Sequence, residues 1–292
     1  MPNMVWYYGL IAIGVIITAF TLRRRANLAD WLTYFLFTTA WSWVGESFIL
    51  FVFHGYDYKP GLYQDVFAEN IIGHIIANSS YWAAAAVAVM YYRTSYLWIA
   101  IYSLGFMLTE FIFTRVGVYE QYWWKTYMTG ITAFIFLVLM KKWYVLLQAR
   151  AYKSPRVIVF GTLAWVILQT PTSVLMLFDK QFFRVHWVTN IYRDSTLFSG
   201  FVYHVIMAFV ILYCMYVPRH WAWRMAPLIL LAAFDALLFN AGILRFSNDW
   251  SLIELISIRA VSLAVIFLLE HYSLEEERVS GEEETRWHAR SR

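Results

Sequence analysis

The sequence predicts an all-α protein, a polytopic bundle of about nine membrane-spanning helices, on three observations. Hydrophobic residues make up 61% of the 292-residue chain and charged residues only 14%, against roughly 25% charged in a soluble domain. Nine apolar segments each reach about 20 residues, enough to cross about 30 Å of hydrocarbon as helices. The segments also recur at a spacing of 125 residues, so the plan reads as one leading helix plus two parallel four-helix repeats.

The first span covers residues 5–22. Its charges follow the apolar run instead of preceding it, so a retained helix is expected, not a cleaved signal. The later spans fall at 31–54, 70–92, 96–114, 124–147, 157–178, 195–217, 221–239 and 250–272. Pro171 and Pro227 lie inside two of them and predict kinks. Residues 180–193 alternate Phe182, Phe183, Trp187 and Ile191 with charges, the pattern of a short interfacial helix. Tyr7, Tyr8, Tyr122, Trp123, Trp124, Trp143, Trp187, Trp221 and Trp223 fall near span ends, where aromatic rings anchor helices at the headgroups.

Shifting the chain by 125 residues lays 31–54 on 156–179, 69–92 on 194–217, 96–115 on 221–240, and 124 onward on 249 onward. Identities are few: Met90/Met215, Tyr91/Tyr216, Trp98/Trp223 and Gly117/Gly242. The acids Glu69/Asp194 and Glu110/Asp235 also superpose. Shared segment lengths and a shared intramembrane acid point to duplication; evenly spaced membrane helices that align at any period are the alternative. An even number of helices per unit gives both copies the same orientation and a pseudo-two-fold axis along the membrane normal. The chain then divides into a leading helix and basic loop (1–30), two repeats (31–155 and 156–272) and a charged cytoplasmic tail (273–292).

Basic residues set the orientation. One side carries 15 of the 23, including Arg23, Arg24, Arg25, Lys141, Lys142, Arg150, Lys153 and Arg219; the other carries 7, and Arg259 lies within a helix. The positive-inside rule puts the N-terminus outside and the tail in the cytoplasm of a multi-pass cell-membrane protein. The net charge of +4 is this asymmetry and indicates no nucleic-acid partner. The single Cys214 excludes an internal disulfide framework.

Ionisable groups deep in a bilayer are costly and usually face the bundle or a wet cavity. Glu46, Glu110, Asp235, Glu254 and Arg259 meet that description, with His74, Asn78, Gln169 and His204 as polar companions. At about 1.5 Å per residue, Glu110, Asp235, Glu254 and His74 fall roughly 6 Å below the outer boundary and Glu46 roughly 12 Å, one polar layer in the outer half of the membrane. Thr38, Ser42 and Glu46 form a stripe on one helix face, and Asn70, His74 and Asn78 form another. The candidate catalytic residues are Glu110, Asp235 and Glu46; the candidate binding residues are His74, Asn78, Glu254, Arg259, Trp43 and Gln169. Interhelical hydrogen bonding is the competing role for Ser42, Asn78 and Gln169. Structural pairing with Glu254, or a reach across to another acid, competes for Arg259, and plain core packing competes for His204. The sequence has no His-x-Glu-x-x-His, paired-aspartate, Gly-x-Ser-x-Gly or phosphate-binding glycine motif, so metal-dependent prenyl transfer is disfavoured and no metal or cofactor is expected.

The stretch Thr109-Glu110-Phe111, Gly117-Val118-Tyr119, Trp124-Lys125 and Lys141-Lys142-Trp143 resembles small four-helix membrane proteins of unknown function from spore-forming Gram-positive bacteria. The similarity covers about the first half. In the second half Asp235 and Gly242 persist, but Asn248-Asp249-Trp250 replaces Trp-Trp-Lys. This resemblance implies a fused, diverged duplicate and supplies no activity. Trp41, Trp43 and Glu46, with Asp235 as a second acid, are similar to the arrangement in membrane-bound terpene cyclases, although the Trp–Glu spacing and helix number depart from theirs.

Three functions follow as expectations. One is a membrane enzyme acting on an isoprenoid or other lipid, in which an acid protonates an alkene or epoxide and aromatic rings steady the cation. Another is a proton- or cation-coupled transporter, favoured by symmetry-related acids but lacking matched helix breaks, since Pro171 falls on Glu46 and Pro227 on Tyr102. The last is a non-catalytic lipid-binding, envelope or sporulation protein. A lateral apolar cavity with an acid at its base, a hydrophilic route to both faces, or a dry interior with paired acids would distinguish them.

Overall fold

A computed structural model describes residues 3–23, 27–148, 154–217, 221–247 and 249–274. Arg24, Arg25, Arg150, Lys153, Arg219, Asn248 and the tail from residue 275 lie outside them. Among the described residues the helices are α1 (Met4–Leu22), α2 (Leu28–Val52), α3 (Val66–Tyr92), α4 (Tyr96–Arg115), α5 (Thr126–Gln148), α6 (Ser154–Leu177), α7 (Ile191–Tyr216), α8 (Ala226–Asn240) and α9 (Leu252–Tyr272). All but α8 are long and apolar enough to cross a membrane.

Helix α8 is shorter than the 221–239 span expected. Its 15 residues rise about 22 Å, because residues 221–224 form a separate 3₁₀ turn. Pro227 accordingly sits in the first turn of α8, where no intrahelical donor is lost, and not in mid-helix. Pro171 does lie inside α6. The interfacial helix expected over 180–193 does not form. Gln181–Phe183 instead form a strand, β3, followed by turns and the start of α7.

Four short strands occupy the loops at one end of the bundle, hereafter the ribbon end. β1 (Tyr56–Tyr58) pairs antiparallel with β2 (Tyr119–Gln121), and β3 pairs antiparallel with β4 (Leu244–Phe246). The registers are Tyr56↔Gln121 and Gln181↔Phe246, so every strand position of the first ribbon reappears 125 residues later. Backbone bonds outside the ladders recur at the same offset. Lys59 N donates to Val118 O and Arg184 N to Ile243 O; Tyr122 N donates to Gly55 O and Ser247 N to Lys180 O. Both helices that precede a second strand end alike. Gly117 (φ 79°) and Gly242 (φ 69°) adopt the left-handed conformation, and the amides of Val118 and Ile243 reach back to the carbonyls of Phe113 and Leu238. Glu69 caps the amides of Gly61, Leu62 and Tyr63, while Asp194 caps those of Val185 and His186. The helix caps Asp65 and Asn190, also 125 apart, meet each other at 2.7 Å.

Helices α2 and α6, which occupy equivalent positions, pack together at the middle of the molecule. Helices α3, α4 and α5 gather on one side, α7, α8 and α9 on the other, and α1 lies against α3. Tyr7 of α1 is fully buried: its hydroxyl donates to Val118 O and accepts from Lys59 N, which fastens the first ribbon and removes this residue from the headgroup anchors. Tyr8, Trp123, Trp187 and Trp223 are exposed as anchors would be.

Candidate functional site

The polar residues gather in two separate places. In the first half, Glu46 of α2 is held from four directions. Tyr56 and Tyr58 each donate a hydroxyl to Glu46 Oε1 at 2.5 Å, His74 Nδ1 meets Oε2 at 2.7 Å, and Asn78 Nδ2 also donates to Oε2. Ser42 hydrogen-bonds Asn78 Oδ1, so both polar stripes read from the sequence face each other; Thr38 instead bonds the Phe35 carbonyl of its own helix. Trp43 packs its ring 5.2 Å from that of His74 and donates to Ser79. Asn78 and Ser79 lie in a π-helical turn, Ala77–Trp82, within α3, an irregularity often found where a helix aims polar groups at a site.

The ribbon supplies the tyrosines because β1 lies hard against α3. A Cβ on Gly73 would stand 2.3 Å from Tyr58 Cβ, so only glycine admits this approach. Asn70 accepts from Tyr58 N at 2.7 Å and donates to Asp57 at 2.6 Å, which fixes the strand. Burial first, and then the Glu46 carboxylate, push the hydroxyl pKa values of Tyr56 and Tyr58 well above the usual tyrosine range. Both stay donors. Tyr119 of β2 is buried and raised likewise, by burial and then by Glu110.

Glu110, near the ribbon end of α4, accepts from Gln121 Nε2 at 2.5 Å and from the Thr129 hydroxyl. Trp124 donates to Thr129 at 2.7 Å; it is buried, a positioning group and not a headgroup anchor. Among the described residues no ion pair reaches Glu110.

Glu46 and Glu110 line one cavity of about 460 Å³, within the range of about 300–1,000 Å³ usual for ligand pockets. Its ribbon end is polar, with both acids, Asn78, Thr129 and the rings of Tyr56, Tyr58 and Tyr119; its far end is walled by Phe106, Phe136, Leu139 and Met140. From Thr129 to Met140 the lining follows α5 for about 16 Å. Between α2 and α5 the lining itself is exposed on the flank of the bundle, at Trp41, Gly45, Ile135 and Leu139. The cavity thus opens sideways, where a bilayer would lie.

The second polar cluster has no such space. Asp235, 125 residues after Glu110, is fully buried and accepts from Tyr203 at 2.6 Å and from Arg259 Nε at 3.2 Å. Arg259, also fully buried, donates to the Leu168 carbonyl at 3.3 Å and stacks 5.7 Å from the Tyr203 ring centroid. Gln169 joins His204 at 2.7 Å and Ser173 at 3.2 Å, also apart from the cavity.

Two expectations are corrected. Glu254 is not an intramembrane ligand: it is exposed and closes a capping box with Ser251 at the start of α9. Arg259 pairs with Asp235 and not with Glu254, and Asp235 does not join Glu46 and Glu110. Sequence reasoning missed Tyr56, Tyr58, Tyr119, Gln121 and Thr129. The alternation Tyr56-Asp57-Tyr58 was the available signal, a period-two pattern in a loop between spans.

Fold and site together define a multi-pass helical protein of membrane type with an acid-headed, laterally open cavity. Comparison with known proteins found no matching family model, curated protein or solved structure.

Proposed function

We propose that the cavity takes an isoprenoid or other long-chain lipid sideways from the bilayer, and that Glu110 acts on it as a general acid. The observation that carries this reading is the cavity's polarity: an apolar slot entered from the flank ends on two carboxylates ringed by aromatic side chains. Glu110 is assigned as the proton donor because it lines the cavity and, unlike Glu46 beside His74, has no ion-pair partner among the described residues. Glu46, saturated by four partners, stays in place as a fixed negative charge near a developing cation. In the reaction the Glu110 O–H bond breaks as a C–H bond forms at an alkene carbon. The cation rearranges against the rings of Tyr119, Trp124 and Phe113, and loses a proton back to the Glu110 carboxylate.

The offset of 125 residues in ladders, caps and turns supports a leading helix followed by a fused, duplicated four-helix unit, whose second copy has closed its site with Arg259. The basic-residue asymmetry supports placing the ribbon end outside. The apolar far end of the slot argues against the transporter reading. The test is incubation of the protein in nanodiscs with polyprenyl lipids in D₂O. An isomerised product carrying one deuterium, formed by the wild type and absent with Glu110→Gln, is expected. Equal turnover by Glu110→Gln would overturn the assignment, and so would absence of any turnover across the neutral polyprenyl lipids.

A further inference from the structure

We propose that the ribbon end of the cavity is an ammonium site, which binds the cationic head of a single-chain amphiphile whose tail lies in the apolar slot. The inference rests on the reading that the slot admits a chain from the bilayer, and adds what the polar end selects.

Three features converge on positive charge. The first is sign: Glu46 stands in the cavity wall as a carboxylate, Glu110 becomes a second one when it gives up its proton, and no Lys or Arg lines the cavity among the described residues, so an anionic phosphate head would meet like charge without a compensating donor. Among the described residues the only cation-capable partner of either acid is His74, and it sits behind Glu46, against Phe51 and Trp43, outside the cavity lining. The second is an aromatic wall, the mutually packed rings of Tyr56, Tyr58, Tyr119 and Trp124 that line this end of the cavity. Ring centroids stand 4.8 Å apart for Tyr56 and Tyr119, 5.4 Å for Tyr58 and Tyr119, 5.6 Å for Tyr56 and Tyr58, and 6.3 Å for Tyr56 and Trp124. Clustered electron-rich ring faces are the recurrent means of holding quaternary ammonium groups. The third is unused capacity. Among the described residues Glu46 Oε1 and Oε2 are each engaged twice, whereas Glu110 Oε1 accepts from Gln121 and Oε2 from Thr129, with the Thr126 hydroxyl close by, so the Glu110 carboxyl keeps more acceptor capacity for a close cation. Cations of this kind would be retained by charge and ring faces without any directional acceptor on the ligand.

The slot also fixes the shape of the ligand. Its lining follows α5 for about 16 Å, with Phe106, Phe136 and Met140 among the apolar residues away from the acids, a length that suits one extended chain of about ten carbons.

The experiment measures saturable thermal stabilisation of the full-length protein in neutral-lipid nanodiscs by three chain-matched probes: decyltrimethylammonium, decanol and decyl phosphate, at equal mole fraction in the bilayer. The ammonium probe is expected to bind at least tenfold more tightly than the alcohol, with no stabilisation by the phosphate. Glu110→Gln should remove most of that tenfold preference and leave decanol binding unchanged, which also shows that the variant is folded. Equal binding of all three probes would overturn the ammonium site while leaving the lipid cavity standing. Preference for the phosphate would do the same and reverse the charge argument. Stabilisation by none of them, or stabilisation that persists when Thr132→Trp blocks the slot, would overturn both readings.

Discussion

Among the described residues Arg259 and Asp235 form the most heavily buried charge pair, and removing one partner separates structure from function cleanly. Substituting Arg259→Met leaves the Asp235 carboxylate, fully buried, with Tyr203 as its one remaining donor. Breaking a buried pair in this way typically costs about 3–5 kcal/mol, because an uncompensated charge stays behind. The double variant Arg259→Met/Asp235→Leu removes both charges, and such apolar replacements are often neutral or stabilising. It does leave the Tyr203 hydroxyl without its acceptor, a loss of about 1–3 kcal/mol that Tyr203→Phe should recover. Reversible unfolding in mixed micelles, followed by circular dichroism against SDS fraction, gives the three stabilities. The reasoning predicts that the single variant is the least stable and the triple variant close to wild type, with ligand binding in the first-half cavity retained throughout. A single variant within about 1 kcal/mol of wild type would refute the view of Asp235 as a charge held by Arg259. Loss of cavity binding in the folded triple variant would refute the separation of the two clusters.

Other consequences concern the cavity and its supports. Gly73→Ala places a methyl group against Tyr58, and overpacking of this kind costs about 1–3 kcal/mol; measured lipid or amine binding should fall as Tyr58 leaves Glu46. Ser251→Ala removes the cap of α9 and should lower stability by about 1 kcal/mol in the same unfolding assay, with no effect on ligand binding. Alkaline pH supplies a test of the tyrosines. Below the ordinary pKa of 10.0 both folded and unfolded chains keep the protons of Tyr56 and Tyr58, so their contribution is fully present. Above it the unfolded chain releases protons that the folded one holds, and stability falls as pH rises. Absorbance at the tyrosinate band should therefore show Tyr56→Phe/Tyr58→Phe removing groups that titrate only on unfolding; their ionisation at pH 10 in the folded protein would contradict their burial.

Much of the bundle was legible because spans advertise themselves by length and apolarity, and because the 125-residue spacing ties one half to the other. The stripes Ser42–Glu46 and Asn70–His74–Asn78 were legible for the same reason: helical periodicity gives a face. What periodicity does not give is which faces meet. Depth alone placed Asp235 and Glu254 in one layer with Glu46 and Glu110, yet Asp235 points into the other half and Glu254 turns back to cap its own helix. The Ser251-x-x-Glu254 capping signature was present in the sequence and should have outranked depth. Similarly, Gln181–Phe183 form a strand whose partner lies beyond α7 and α8, and non-local pairing leaves no mark in a local window. Trp124 and Tyr7 sit at span ends like anchors, and only the ribbon packed on them makes them interior.

The most direct test of the central claim is a structure of the protein in lipid nanodiscs, read for density between α2 and α5. Elongated density entering past Trp41 and Leu139 and ending against Glu110 and Glu46 is the predicted result. A slot closed by repacking of α2 onto α5, with Glu110 paired to a basic side chain, would contradict it.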